Sequence, residues 1–361
     1  MIESQRQAGK YKRSVLAMYS FKNDYSEGAH PQILAALMAT NLQQQDGYGE
    51  DEFSSQAATL IKQKVGRDDI DVHFLSGGTQ TNLTAISSFL RPHEAAIAAS
   101  TGHILVHETG AIEATGHKVI SVDSSDGKLT AAQISSVVAG HGDEHMVKPR
   151  LVYLSQPTEV GTIYSRQEMQ QISQFCRQNR LLLFVDGARL GSALCAAGND
   201  LGLPALAELT DAFYIGGTKN GALLGEALVI CQDSLKEDFR FHMKQKGALL
   251  AKGRLIGIQF LTLFTDDLYF TLAAHANRLA DRIRQAIDQA GYRYLTDSPS
   301  NQIFPVLPNR IIDELLKEYS FYVWEKVDTE HSAIRLVTSW ATPETAVDGF
   351  LAKLRELHAT P

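Results

Sequence analysis

From residue 72 to residue 231 the chain repeats one pattern, a short apolar run followed by a segment whose apolar residues recur at helical spacing. The runs at 72–76, 96–99, 104–106, 118–122, 151–155, 181–185, 212–215 and 227–231 are expected as strands. Helices are expected between several of them, one carrying Leu83, Ile86 and Leu90 and another presenting Met169, Ile172, Phe175 and Cys176 on one face. Alternation of this kind builds an α/β fold. A parallel strand pair needs a crossover, usually a helix, and the mainly parallel sheet that results is covered by helices on both faces. Sheets of this type bind ligands outside the carboxyl ends of their strands, so chemistry is to be sought there.

The flanks differ. Residues 1–14 are a polar lead-in, Pro31 opens a helix striped by Ile33, Leu34, Leu37 and Met38, and a second helix is expected from Phe53 to Val65. Beyond 232 the pattern breaks into a charged helical segment without a following buried strand. A long helix from Tyr269 to Ala290, strands in NQIFPVL and AIRLVTSW, and a last helix with Phe350, Leu351, Leu354 and Leu357 inward complete the chain. The expected division is a large domain over 1–240 and a smaller α+β domain over 241–361. A net charge of -7 without a basic run argues against a nucleic-acid surface. Three widely spaced cysteines suit a reducing compartment, the polar N-terminus lacks a signal-peptide core, and no apolar stretch reads as a membrane span. A cytoplasmic protein without membrane or nucleic-acid partners is therefore expected.

Two strand ends carry chemistry. The run LLLFV ends in Asp186-Gly187-Ala188-Arg189, and a later run ends in a glycine-rich turn that holds Lys219. An acid that keeps a pyridinium nitrogen protonated and a lysine that forms a Schiff base are what pyridoxal phosphate requires. Gly187 and Ala188 would leave room for a flat ring, whereas the plainer alternative is a strand end with an ordinary salt bridge. Gly77-Gly78-Thr79 lies between a strand and a helix, where free backbone amides and the Thr79 hydroxyl can hold a phosphate, or where Thr79 simply caps the helix. No Gly-Lys-Ser/Thr follows and no G-x-G-x-x-G occurs, which disfavours a P-loop and a dinucleotide site.

His103 and His107 are four apart, as are His141 and His145. The first pair reads as a strand entering a turn and the second as a polar loop, so no metal site is expected. A histidine can instead stack on a cofactor ring and move protons. Arg335 inside an apolar strand needs an anion, either a substrate carboxylate or a structural one, and Arg189 poses the same question. Lys246, Lys252 and Arg254 form either a solvated face or a phosphate contact across a subunit boundary.

In order along the chain, NDYSEGAHP, DGYGEDEFS, GGTQTNL, HILVHETGA, TEVGT, VDGAR, GGTKNGALLGEA, KGALLAKGR and IRLVTSWAT resemble the threonine aldolases of the β-eliminating lyase group, within the fold-type I pyridoxal phosphate-dependent enzymes. The resemblance implies that Lys219 is the Schiff-base lysine, Asp186 the partner of the pyridinium nitrogen, Gly78 and Thr79 the phosphate site, and His103 the ring-stacking group. It implies a substrate carboxylate on Arg189 and Arg335, helped by Asn23, and Lys252 or Arg254 on the phosphate of a neighbouring subunit in a dimer or tetramer with shared sites. The implied reaction is cleavage of a β-hydroxy-α-amino acid such as threonine or phenylserine to glycine and an aldehyde. The alternatives are a β-eliminating lyase acting on aromatic or sulfur amino acids and a non-catalytic binding protein of the same fold. Two motifs depart from many relatives. Glu159 stands where a T-H-N-G motif has histidine, and Thr218-Lys219-Asn220 replaces Ser-Lys-Gly. The first leaves open which group acts as base on the β-hydroxyl, with His103, Glu159 and the cofactor phosphate as candidates.

Overall fold

The structure is a computed structural model that describes residues 18–359, so the polar lead-in at 1–14 lies outside it. Strand β1 (Tyr19–Ser20) is followed by the strands of the central sheet, β2 (Asp71–Leu75), β3 (Glu94–Ala99), β4 (Val119–Val122), β5 (Lys148–Ser155), β6 (Leu182–Asp186), β7 (Ala212–Gly216) and β8 (Glu226–Ile230). They lie in the order β2-β8-β7-β6-β5-β3-β4, and only β8 runs against its neighbours. The mainly parallel sheet and its helical cover are thus as expected.

Both faces of this sheet are buried, and the side-chain period of two divides the apolar runs between them. Ile97, Val152, Leu183, Val185, Phe213 and Val229 belong to one core, under the helices Glu52–Val65, Arg166–Gln178 and Arg254–Phe264. The alternate residues Ala96, Leu151, Leu182, Phe184, Tyr214 and Leu228 belong to the other, under the helices Gly78–Phe89 and Phe239–Gln245. Burial on both faces is why these strands read as continuous apolar runs instead of alternating ones.

One expected strand is a helix. His103–Val106 forms a single helical turn after Gly102, whose N–H bonds to Ala99 O at the end of β3. A further parallel strand here would need a crossover of a dozen or more residues, and only three separate Ala99 from His103.

A third core joins Phe21, next to β1, to the later chain: Leu279, Ile283, Ile303, Ile334, Leu336, Phe350 and Leu354. Here β9 (Gln302–Ile303), β10 (Val306–Pro308), β12 (Tyr322–Lys326) and β13 (His331–Val337) pair antiparallel around β13, while β11 (Tyr319–Ser320) pairs with β1. Residues just beyond 240, among them Met243, Ile256 and Phe260, pack into the two sheet cores and not into this third one. The segment Arg254–Gln289 is long and apolar enough by composition to match a membrane span, contrary to expectation. It is two helices broken at Asp266 and Asp267, both with left-handed φ, and half of its apolar window is buried.

Candidate functional site

The carboxyl ends of the parallel strands converge on one cavity of about 690 Å³. β2 leads to Gly77, Gly78 and Thr79, β3 to His103, β5 to Glu159 and β7 to Lys219, while β6 ends in Asp186. The antiparallel sheet closes the other side with Arg335 of β13, Tyr322 and Trp324 of β12, and Gln302 of β9.

Asp186 is 4% exposed and well supplied with donors. The Tyr153 hydroxyl and the Asn82 amide (3.1 Å) donate to Oδ2, and the Ala188 N–H donates to Oδ1 (3.0 Å). Burial works against its charge, but the nearby His103 and hydrogen bonds from Tyr153 and Tyr214 outweigh it and hold the carboxyl below its ordinary value. The Asn82 amide also donates to Glu108 Oε1 (2.8 Å), which lies 2.8 Å from His103 Nδ1. One buried chain of contacts therefore orients both the histidine and the acid. Asn82, Glu108, Tyr153 and Tyr214 were not among the residues expected from sequence.

Gly187 has a different task from the one expected. A Cβ there would sit 1.8 Å from the Tyr214 carbonyl oxygen, so its missing side chain lets β6 and β7 close up, while Ala188 lines the cavity. Gly77, in extended conformation, begins the helix Gly78–Phe89, and no side chain caps that end. Thr79 is therefore not the cap, and the first amides of the helix remain open to an anion.

Among the described residues no hydrogen bond or ion pair holds the Lys219 amine. Burial, and then the Arg189 charge, lower its pKa against the pull of Asp24, Asp186 and Glu226. Glu226, also unforeseen, is 3% exposed and accepts from Thr218 Oγ1 (2.9 Å) and Gly217 N (3.2 Å), tying down the turn that carries the lysine. Burial pushes its carboxyl up to about 8.

Arg189 and Arg335 both line the cavity and are differently occupied. Arg189 donates through Nε (2.7 Å) and one terminal nitrogen (3.1 Å) to Asp24, which is 1% exposed and also accepts from Asn301 (3.0 Å). Burial opposes the Asp24 charge, but Arg189 and then Lys219 hold its carboxyl below the ordinary value. Among the described residues Arg335 meets no carboxylate. It donates twice to the neutral Gln302 Oε1 (3.2 and 2.6 Å) and lies 5.3 Å from the centre of the Trp324 ring. Burial, and then the Arg189 charge, push it down to about 10, so it remains cationic at neutral pH.

Glu159 accepts at Oε1 from the Ser155 hydroxyl (2.6 Å) and the His103 amide (2.9 Å). Three expected residues stand outside the cavity lining. Asn23 Oδ1 closes a local turn by accepting from Tyr25 N (3.1 Å) and Ser26 Oγ (2.9 Å). Arg254 donates to the carbonyls of Thr40 and Gln43, and Lys252 is exposed on the surface. Among the described residues no group of three His, Cys, Asp or Glu side chains is placed to hold a metal ion.

Residues 24–307 match the family model described as beta-eliminating lyase. The chain is 33% identical to the low specificity L-threonine aldolase of Pseudomonas sp. (strain NCIMB 10558), over 93% of this chain and 96% of that one. It is 31% identical to the low specificity L-threonine aldolase of Pseudomonas aeruginosa, over 89% and 93% respectively. Among solved structures, a threonine aldolase from Leishmania major superposes with a TM-score of 0.93 at 50% identity, covering 94% of this chain and all of that one. An aspartate aminotransferase from Thermus thermophilus, at 12% identity and a TM-score of 0.71, shares the fold.

Proposed function

The chain belongs to the beta-eliminating lyase family, and from that premise we propose that it is an aldehyde-lyase of the threonine aldolase kind, cleaving β-hydroxy-α-amino acids to glycine and an aldehyde with pyridoxal phosphate as cofactor. One observation carries the reading: Asp186, Lys219 and Arg335 come from separate elements of the fold and line a single cavity. The residues present fit the cofactor. Lys219 offers an amine that no other described residue holds, Asp186 a carboxylate fixed in its ionised state, and the uncapped helix end at Gly77, Gly78 and Thr79 a phosphate site. His103, tied to Glu108, would lie on the ring. When bound, this group supplies an electron sink for the bond that breaks.

The chain's own residues do the rest. Arg335, which among the described residues has no protein anion to give up, binds the substrate carboxylate, and Arg189, braced by Asp24, adds its remaining N–H groups. Fixing the carboxylate sets which bond at Cα faces the sink, and orientation of this kind contributes roughly 7–11 kcal/mol in favourable cases. Burial disfavours the ammonium form of Lys219 and so favours the unprotonated amine that bond formation with an aldehyde needs. The antiparallel sheet contributes Tyr322 and Trp324 to the cavity wall.

The proposal extends to a homo-oligomer, a dimer or tetramer, in the cytoplasm, acting on a small-molecule amino acid without membrane or nucleic-acid partners. Leu42 (93% exposed) and Met38 (82%) on and beside the helix Pro31–Thr40 suit a protein-covered face, and Lys252 is free to reach a neighbour. Three free cysteines suit a reducing compartment. The test is to incubate protein and cofactor with threonine and phenylserine isomers. Glycine and an aldehyde support the reading, whereas pyruvate and ammonia from an aromatic or sulfur amino acid would replace it with β-elimination.

A further inference from the structure

Leaving aside Asp186, Lys219 and Glu226, whose roles are described above, His103, Glu159 and His107 on the cavity wall have the chemistry to take a proton from a β-hydroxyl. His103 is engaged elsewhere. Its Nδ1 lies 2.8 Å from Glu108 Oε1, and the ring is close enough to Asp186 to favour that carboxylate's charge. Glu159 is a poor acceptor. Two donors occupy Oε1, and burial, with the Asp186 charge adding to it, raises its carboxyl above the ordinary value.

His107 differs on each count. Its N–H bonds to His103 O (2.9 Å), closing the helical turn, and its ring lies 5.4 Å from the His103 ring. Among the described residues neither ring nitrogen has a hydrogen-bond partner. The charges that face it are His103 from its own turn, Arg335 from β13, Lys219 from the loop after β7 and Arg189 from the end of β6, with Glu159 on the same wall. Partial burial and then these positive neighbours lower its imidazole below the ordinary histidine value, which leaves it unprotonated at neutral pH. His107 lines the same cavity as Arg335 and Lys219, the groups that would engage the carboxylate and amine of the substrate, so its unpartnered imidazole is available to the substrate bound there.

We propose that His107 is the base that accepts the β-hydroxyl proton. The proposal rests on the aldolase reading above. In the step, the O–H bond breaks toward an imidazole nitrogen and its electron pair forms the aldehyde C=O. The Cα–Cβ bond breaks with its pair left at Cα, and Cα then gains a proton. One proton is taken and one returned, so no oxidant, reductant or co-reactant is required.

The test compares wild-type protein with His107→Phe and Glu159→Gln, each loaded with cofactor. Three quantities are read: threonine cleavage across pH, exchange of the glycine α-proton in heavy water, and the imidazole titration followed by NMR. Glycine has no β-hydroxyl, so its exchange does not need this base. His107→Phe is expected to slow threonine cleavage by roughly 10²–10⁴-fold, the range a general base contributes. It should also remove the acid limb of the profile and leave glycine exchange within about twofold of wild type. An NMR signal missing from His107→Phe should titrate below the ordinary histidine value. Glu159→Gln should keep the acid limb. Cleavage by His107→Phe at the wild-type rate with an unmoved acid limb would overturn the assignment. So would an equal loss of cleavage and exchange, or loss of the acid limb in Glu159→Gln instead. If wild-type protein neither cleaves threonine nor exchanges glycine, it is the aldolase reading that fails.

Discussion

Arg189 and Arg335 look alike in the sequence, each an arginine at or in an apolar strand, and the fold treats them oppositely. Arg189, at the end of the parallel sheet, has a buried carboxylate in Asp24. Arg335, in the antiparallel sheet across the cavity, has a neutral amide and an indole face. Arg189 is held by a structural carboxylate and has only its remaining N–H groups to offer a ligand, whereas among the described residues Arg335 has no such partner. The lesson is that an arginine on a cavity wall is informative about ligands only once its partners are counted.

Removing Asp24 should break the comparison most severely. Asp24→Asn leaves Arg189 buried without its counter-charge, and a loss of about 3–5 kcal/mol in urea unfolding is expected. Arg335→Leu should do the reverse. The urea midpoint should barely move, while glycine binding by calorimetry weakens roughly 10- to 100-fold, the loss of a charge-assisted hydrogen bond. Equal stability losses in the two variants would erase the distinction. The pH dependence sharpens it further. The folded-state pKa of Asp24 is depressed, so the pair's stabilisation is complete above the ordinary carboxylate value of 3.8 and is lost as pH falls through the depressed one. The stability gap between wild type and Asp24→Asn should hold at neutral pH and narrow only in acid. The smallest effect is expected from Glu159→Gln, whose turnover should stay within about one order of magnitude of wild type, short of what loss of a general base costs.

Much of the frame was legible because it follows from local pattern. Short continuous apolar runs and the helical stripes between them yield a covered parallel sheet, and its carboxyl ends then point to Asp186 and Lys219. What stayed hidden is tertiary. Asn82 is an ordinary helical residue until it meets Asp186, 104 positions away, and Asp24 is an acid in a turn until it meets Arg189, 165 positions away. Tyr153 inside LVYLS reads as plain core. Glu226 leaves a trace, an acid opening the apolar strand ALVI directly after Gly225, but a charge at a strand start is usually solvated and does not by itself mark a site. The turn at His103–Val106 was misread because three apolar residues cannot distinguish a strand from a helix without their neighbours.

The central claim is that the Lys219 amine forms the covalent link to the cofactor aldehyde opposite Asp186. Borohydride reduction of the cofactor-treated protein, followed by peptide mass spectrometry, tests it directly. The account predicts one modified peptide, bearing the reduced pyridoxyl phosphate on Lys219, and none in Lys219→Ala. A label on another lysine, or full aldolase turnover by Lys219→Ala, would contradict it.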